Sequence, residues 1–370
     1  MRFLNSTRLV AVLAMSTLAL TAQAGNKDRT GQGGAAELLV NPWGRSTGVF
    51  GQDAAHVGGI EAMRVNIAGL ASGARTEVGG SYNRFFNSTD IAAVNAGIAQ
   101  RLGNAGVLGV NLFSMNYGEI PITTVNNPAG GVGTYRPSFL NISVGFAREF
   151  RDGIRAGASA TFINQQISNV GASGICFDAG LQYSTGKRDN FHFGVVLRNV
   201  GTNMKFTGEG FTYNAEAEGN STFTKTVSNP TEGFQLPTYL QLATSYDFYL
   251  DERAFSGDST EMPRHRLTPM FSFTSNSFLN DYIGGGIEYA FKETFMLRGA
   301  YRHEEGIMDN SFYTGWSAGA SVGINVGRDR EASEDRKAYR APKIMVDYSF
   351  RPTQRPANGV HAVSLRFMLR

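Results

Sequence analysis

Five histidines, His56, His192, His265, His303 and His361, are the first residues to test for chemistry, and no two stand at the spacing of a metal-ligand pair. His265 lies between Arg264 and Arg266, whose charges repel a cation. There is no HExxH, no GxSxG and no phosphate loop. Gly31-Gln-Gly-Gly34 and Gly284-Gly-Gly286 have the glycine density of a phosphate loop. The first lacks a strand–turn–helix context and the second falls inside a strand, so they read as linker and as small inward-facing residues. His303 with Glu304 and Asp309 is the local set that a rim-mounted hydrolase would use, and no nucleophile accompanies it. The chain is therefore expected to be no enzyme, with no catalytic residue, no cofactor and no metal. Cys176 is the single cysteine, so it has no disulfide partner within the chain, and it reads as a small apolar residue of a strand.

The charges that do recur are placed by strands. Val363, Leu365, Phe367 and Leu369 alternate with Ser364, Arg366, Met368 and Arg370. One face of that strand is apolar and the other mostly polar. The same pattern recurs about fourteen times, near 75–86, 91–101, 105–116, 138–150, 153–166, 174–185, 190–199, 237–248, 264–274, 281–291, 294–304, 311–327, 342–351 and 359–369. Segments of this length and alternation predict an all-β fold, a transmembrane antiparallel β-barrel over residues 75–370. Its mean hydropathy is slightly negative because alternation averages away. Phe295, Leu297 and Tyr301 are expected to face lipid, and Met296, Arg298 and Arg302 the lumen. An outward charge at the bilayer midplane costs about 2–4 kcal/mol, so the ions belong inside. Glu288, Arg298, Arg302, Asp347 and Arg366 are the expected lumenal charge cluster, meeting one another or an inserted segment.

The ends of the chain set its address. Arg2 and Arg8, the apolar run Leu9 to Leu20 and Ala22-Gln-Ala24 predict a signal peptide over 1–24. The formal charge of +3 falls to +1 once Arg2 and Arg8 are removed (3 − 2), which excludes a nucleic-acid partner. Residues 25–74 are rich in glycine and alanine and show no strand period. They are expected to form a plug, or else a periplasmic tail, because side chains alone would not fill a lumen of fourteen strands. An even strand number puts both termini in the periplasm of an outer-membrane, multi-pass barrel whose partners include outer-membrane lipid and lipopolysaccharide. The tight turns at 101–105, 151–153 and 292–293 fit that side, and the long connections 117–137 and 200–236 the outside. The long, charged connections 249–263 and 328–341 fall on the periplasmic side and break the pattern. Pro269 and the glycines 284–286 are the positions where a strand is expected to bend.

Connection 200–236 holds Phe206, Phe211, Tyr213, Phe223 and Phe234 among polar residues. Rings of this density on a loop predict either a docking surface for a protein or glycan, or a cap that packs on itself over the barrel mouth.

Pro42, Gly44-Arg45, Gly48, Gly51, Gly58-Gly59, Ala62 and Asn66-Ile-Ala-Gly-Leu-Ala71 resemble the start of the PorV/PorQ family. The family's Asn-Pro-Ala is Asn66-Ile67-Ala68 here, and its Gly-Met-Gly is Gly48-Val49-Phe50-Gly51. The resemblance implies a barrel similar in architecture to the FadL fatty-acid transporters. It also implies a role in the type IX secretion system of Bacteroidetes-type bacteria, with a translocon, secreted cargo or a surface complex as protein partners. A FadL-like channel for hydrophobic small molecules, or an accessory barrel of another outer-membrane complex, is the alternative. A general diffusion porin is a third reading, which a plug disfavours.

Overall fold

The computed structural model describes residue 29 and residues 31–86, 89–186, 188–216, 224–251, 264–305, 311–327, 341–354 and 358–369. Fourteen strands form the wall. They are β1 Thr76–Phe85, β2 Ala92–Arg101, β3 Val107–Asn116, β4 Ser138–Glu149, β5 Ile154–Ile167, β6 Val170–Thr185 and β7 Phe191–Gly201. The second half is β8 Tyr239–Tyr246, β9 His265–Asn276, β10 Tyr282–Phe291, β11 Phe295–Glu304, β12 Trp316–Asn325, β13 Lys343–Arg351 and β14 Val360–Leu369. Each pairs antiparallel with its sequence neighbours, and β14 returns to β1 with Thr76 opposite Leu369, which closes the sheet. Closure leaves no sheet edge, the condition for a sheet to cross lipid. The rim bearing Thr76 and Leu369 is called proximal below and the opposite rim distal.

The alternation sorts the side chains. Val346, Tyr348, Val363 and Leu365 are exposed on the outer surface, while Asp347, Ser349, Ser364 and Arg366 between them are buried inside. On β11, Leu297 is 62% exposed and Arg298 only 5%. The wall is thus apolar outside and polar inside, as a transmembrane barrel of the outer-membrane type requires.

Three details depart from the sequence reading. β6 starts at Val170 and not at 174, joined to β5 by a two-residue turn in which Ser168 takes a φ of 52°. Gly171-Ala-Ser-Gly174 carries no apolar alternation, but backbone pairing needs none, and Ile167 lies opposite Val170. The twelfth strand begins at Trp316, not at 311. Pro269 brings no register shift to β9. It removes a ladder donor, and the pairing with β8 lapses there, yet Ser245 opposite Met270 and Phe248 opposite Leu267 keep one register across the gap. The wall's register shift lies elsewhere, between Phe177 and Ala179, where Arg198 and Asn199 of β7 share one partner position of β6. Asn199 adopts a φ of 59°, and its amide holds the Pro237 carbonyl at 3.0 Å.

Residues 31–75 lie inside the wall. They form short helical turns, Ala36–Leu39, Gly44–Thr47, Gln52–Ala55, Gly59–Arg64 and Ile67–Ser72, nearly all buried. Inward glycines make room for them around the barrel. A Cβ on Gly97 would stand 2.9 Å from Ile60, one on Gly109 2.6 Å from Met63 and one on Gly284 2.2 Å from Gln52. That packing explains Gly284 and Gly286, which face Gln52, while Gly285 faces outward, and all three pair with β9 in unbroken register. The apolar core therefore belongs to the segment itself, with Trp43, Ile60, Met63, Ile67 and Leu70 at its centre.

Candidate functional site

Glu288, midway along β10, is the hub of the interior. Its Oε2 accepts from Arg298 Nε at 2.8 Å and its Oε1 from Arg266 Nη2 at 2.9 Å, with Arg45 Nη2 at 3.3 Å. The chain of contacts runs on through Arg298 Nη1 to Ser321 Oγ at 2.7 Å, and from the Ser321 hydroxyl to Asp347. Asp347 then receives Ser364 and Arg366, each at 3.3 Å. Arg366 Nε stands 3.0 Å from Glu61 Oε1, which ties the network to the N-terminal segment. Register brings these groups together, since Glu288 lies opposite Arg298, and Asp347 lies opposite both Ser321 and Ser364. A second acid, Asp247, accepts from His192 Nε2 at 3.1 Å, from Arg266 Nη1 at 3.3 Å and from the Thr268 hydroxyl. Burial shifts the segment's own groups. It pushes the Glu61 carboxyl up to about 7 and pulls His56 down to about 3, so the imidazole is neutral beside Ser245.

Four of the five expected cluster residues thus sit in one network, and Arg302 does not. It lies nearer the distal rim, 3.7 Å from Glu304, with its guanidinium over Phe50 at 4.8 Å and Tyr282 at 4.7 Å. Arg45 and Glu61, which also belong to the network, are not legible as members in the sequence, because the short turns that carry them have no period. Arg266 is not among the expected members either, although its alternation on β9 with Thr268 and Met270 is a signal that marks it as inward.

Beneath the distal rim lies a cavity of about 70 Å³. The segment contributes Arg64 and Phe50, and the wall contributes Arg198, Tyr239, Tyr282, Arg302 and Arg351. Beside it, Leu38, Ile163, Cys176, Met204 and Leu236 form an apolar cluster against which Phe206 and Phe234 pack. Those two loop rings stand 5.7 Å apart, and Phe234 lies over Gly34. Tyr213 is exposed, Phe211 half-buried, and Phe223 lies outside the described residues. His303 points outward while Glu304 is half-buried, and Asp309 lies outside the described residues. Among the described residues no group of three His, Cys, Asp or Glu side chains is placed to hold a metal.

Cys176 is 1% exposed in the apolar cluster. A maleimide added to the folded barrel is expected to leave it unlabelled, with labelling complete after unfolding in urea. Mass spectrometry reads both states, and full labelling of the folded barrel would contradict the packing described here.

The architecture is shared with solved outer-membrane barrels. The chain is similar to the CymD monoaromatic hydrocarbon channel at 13% identity, over 89% of this chain and 97% of that one, with a TM-score of 0.54. It is similar to the P. putida toluene transporter TodX at 13% identity, over 87% and 95%, with a TM-score of 0.51. A Pseudomonas aeruginosa FadL homologue aligns at 11% identity, over 88% and 97%, with a TM-score of 0.45. No protein-family model and no curated protein matches the sequence. At such identities the likeness is one of fold.

Proposed function

We propose that the chain is a passive outer-membrane channel for small molecules with an apolar body, with its proximal rim and both termini in the periplasm. The observation that carries this reading is the combination of a packed lumen with one register shift in the wall. The burial of most of residues 33–71 against the inner face of the wall supports a bore closed to the free passage of water and ions that a diffusion porin needs. A solute that enters at the distal mouth must move the segment or leave sideways. The bulge at Asp178 and Asn199 is where the register of the wall shifts and the ladder is locally disrupted. It lies between the apolar cluster inside and the lipid-facing side chains of Ile175, Phe177, Leu197 and Val200 outside. An apolar molecule that crosses there would avoid the Glu288 network and pass the Arg198–Asp178 pair at the bulge. The likeness in fold to two hydrocarbon channels supports the same reading.

The test is uptake of labelled toluene by cells that carry the chain. Toluene entry is expected to exceed that of cells lacking the barrel, while glycerol entry is unchanged. Deleting Asn199, which restores one-to-one pairing, should return toluene entry to the level of cells without the chain. Equal acceleration of both solutes would indicate a porin and end the proposal.

The motif from Pro42 to Ala71 supports a second reading, a PorV/PorQ-like subunit of a secretion or surface-assembly complex. Its residues are spent on interior packing, however. The Asn66 amide donates to the Ala54 and Leu181 carbonyls at 2.9 and 3.1 Å, and a Cβ on Gly69 would meet the Val57 oxygen at 2.0 Å. A pull-down from solubilised membranes that recovers a translocon or surface protein would favour this second role.

A further inference from the structure

We propose that the distal cavity is a binding site for a small dianionic oxyanion, free phosphate or sulfate, cradled by Arg64, Arg198, Arg302 and Arg351. No aspartate or glutamate lines it. Arg64, Arg198 and Arg351 are 2%, 5% and 7% exposed. The Nε atoms of Arg64, Arg302 and Arg351, and Nη2 of Arg351, are buried without a hydrogen-bond partner among the described residues. Buried donors of this kind are costly to leave unmet, and these four belong to guanidiniums whose residues line one cavity.

Charge decides what kind of acceptor. Arg198 Nε meets Asp178 at 3.3 Å, and Arg302 reaches Glu304 at 3.7 Å. Arg64 and Arg351 meet no carboxylate within ion-pair distance among the described residues, so four cations less two acids leave a charge of +2 (4 − 2). Ring faces soften this without cancelling it. Arg64 lies over Phe113 at 4.6 Å, and Arg351 over Tyr313 at 4.8 Å. A dianion with several oxygens balances the charge and meets the planar guanidinium forks. Size decides between a free ion and a larger ligand. Pockets for organic ligands start at roughly 300 Å³, and about 70 Å³ holds a few waters or one oxyanion but no acyl chain. The ion would bridge Arg64 of the segment to three wall arginines and so pin the segment in place. The site needs only the folded barrel and does not rest on the transport reading.

Inorganic phosphate, then sulfate, titrated into the full-length barrel in detergent at constant ionic strength should bind saturably and raise its thermal midpoint. Arg351→Gln is expected to weaken binding on the order of tenfold or more, with Arg351→Lys intermediate. Gln241→Glu places a carboxylate at the cavity in place of an amide that donates to the Gly51 carbonyl at 3.1 Å, and should abolish binding in barrel shown to be folded by its heat-dependent gel mobility, which covers the case of an Arg351 variant that fails to assemble. Arg136→Gln, on the exposed 117–137 connection, should change nothing. Absence of saturable binding, equal binding by wild type, Arg351→Gln and Gln241→Glu, or binding only to micelles carrying phosphatidic acid would overturn the assignment.

Discussion

Glu288→Gln is expected to destabilise the barrel by about 3–5 kcal/mol, the cost of stranding buried cations. The substitution keeps the shape and removes the charge on which three guanidiniums converge. They are not equally harmed. Arg266 keeps Asp247 and Glu293, whereas Arg45 and Arg298 lose the carboxylate that each pairs with. Arg298 retains a neutral hydroxyl at Ser321. The urea midpoint in micelles, read from tryptophan fluorescence to which buried Trp43 and exposed Trp316 both contribute, measures the loss. Adding Arg45→Gln to Glu288→Gln should recover part of it, because one stranded charge is then gone. A midpoint within the error of wild type would show that the network contributes nothing.

That hub was legible in the sequence because a strand has a period of two. Glu288, Arg298, Asp347 and Arg366 alternate with lipid-facing residues, and a charge on the wrong face is too costly to tolerate. The same rule placed fourteen strands within a few residues of where they lie. It failed where structure does not depend on side-chain alternation. The β5–β6 turn is such a place, since Gly171 to Gly174 pair through backbone alone. The N-terminal segment is another. Its turns of four to six residues are too short for a helical stripe, so nothing in the spacing marks Arg45, Glu61 or Arg64 as inward. Loop rings have no face until the loop folds, and Phe206 and Phe234 turn inward because the apolar cluster at Leu38 and Met204 is there to receive them. The bulge at Asp178 has no sequence mark that exceeds those of Pro269, because it is set by pairing between strands.

Removing residues 25–70 is expected to raise single-channel conductance on the order of tenfold or more, from near baseline to steps like those of an open barrel. The wall should survive the loss. Its ladders are complete without the segment, and each acid at the hub keeps a wall arginine, Glu288 with Arg266 and Arg298, Asp347 with Arg366. The face laid bare is polar. Asn83, Asn95, Asn111, Asn141, Gln165 and Gln182 point inward, and water would satisfy amide atoms that now lack partners. The new lumen should therefore fill with water and pass ions. Planar-bilayer recording measures the steps, and the mobility shift of heated against unheated barrel in detergent gels shows first that the deletion folds. A folded deletion that conducts no better than wild type would mean that the segment is not what closes the bore. Conductance already high in the wild type would point the same way, and with it would fall the premise that an apolar solute must leave through the wall.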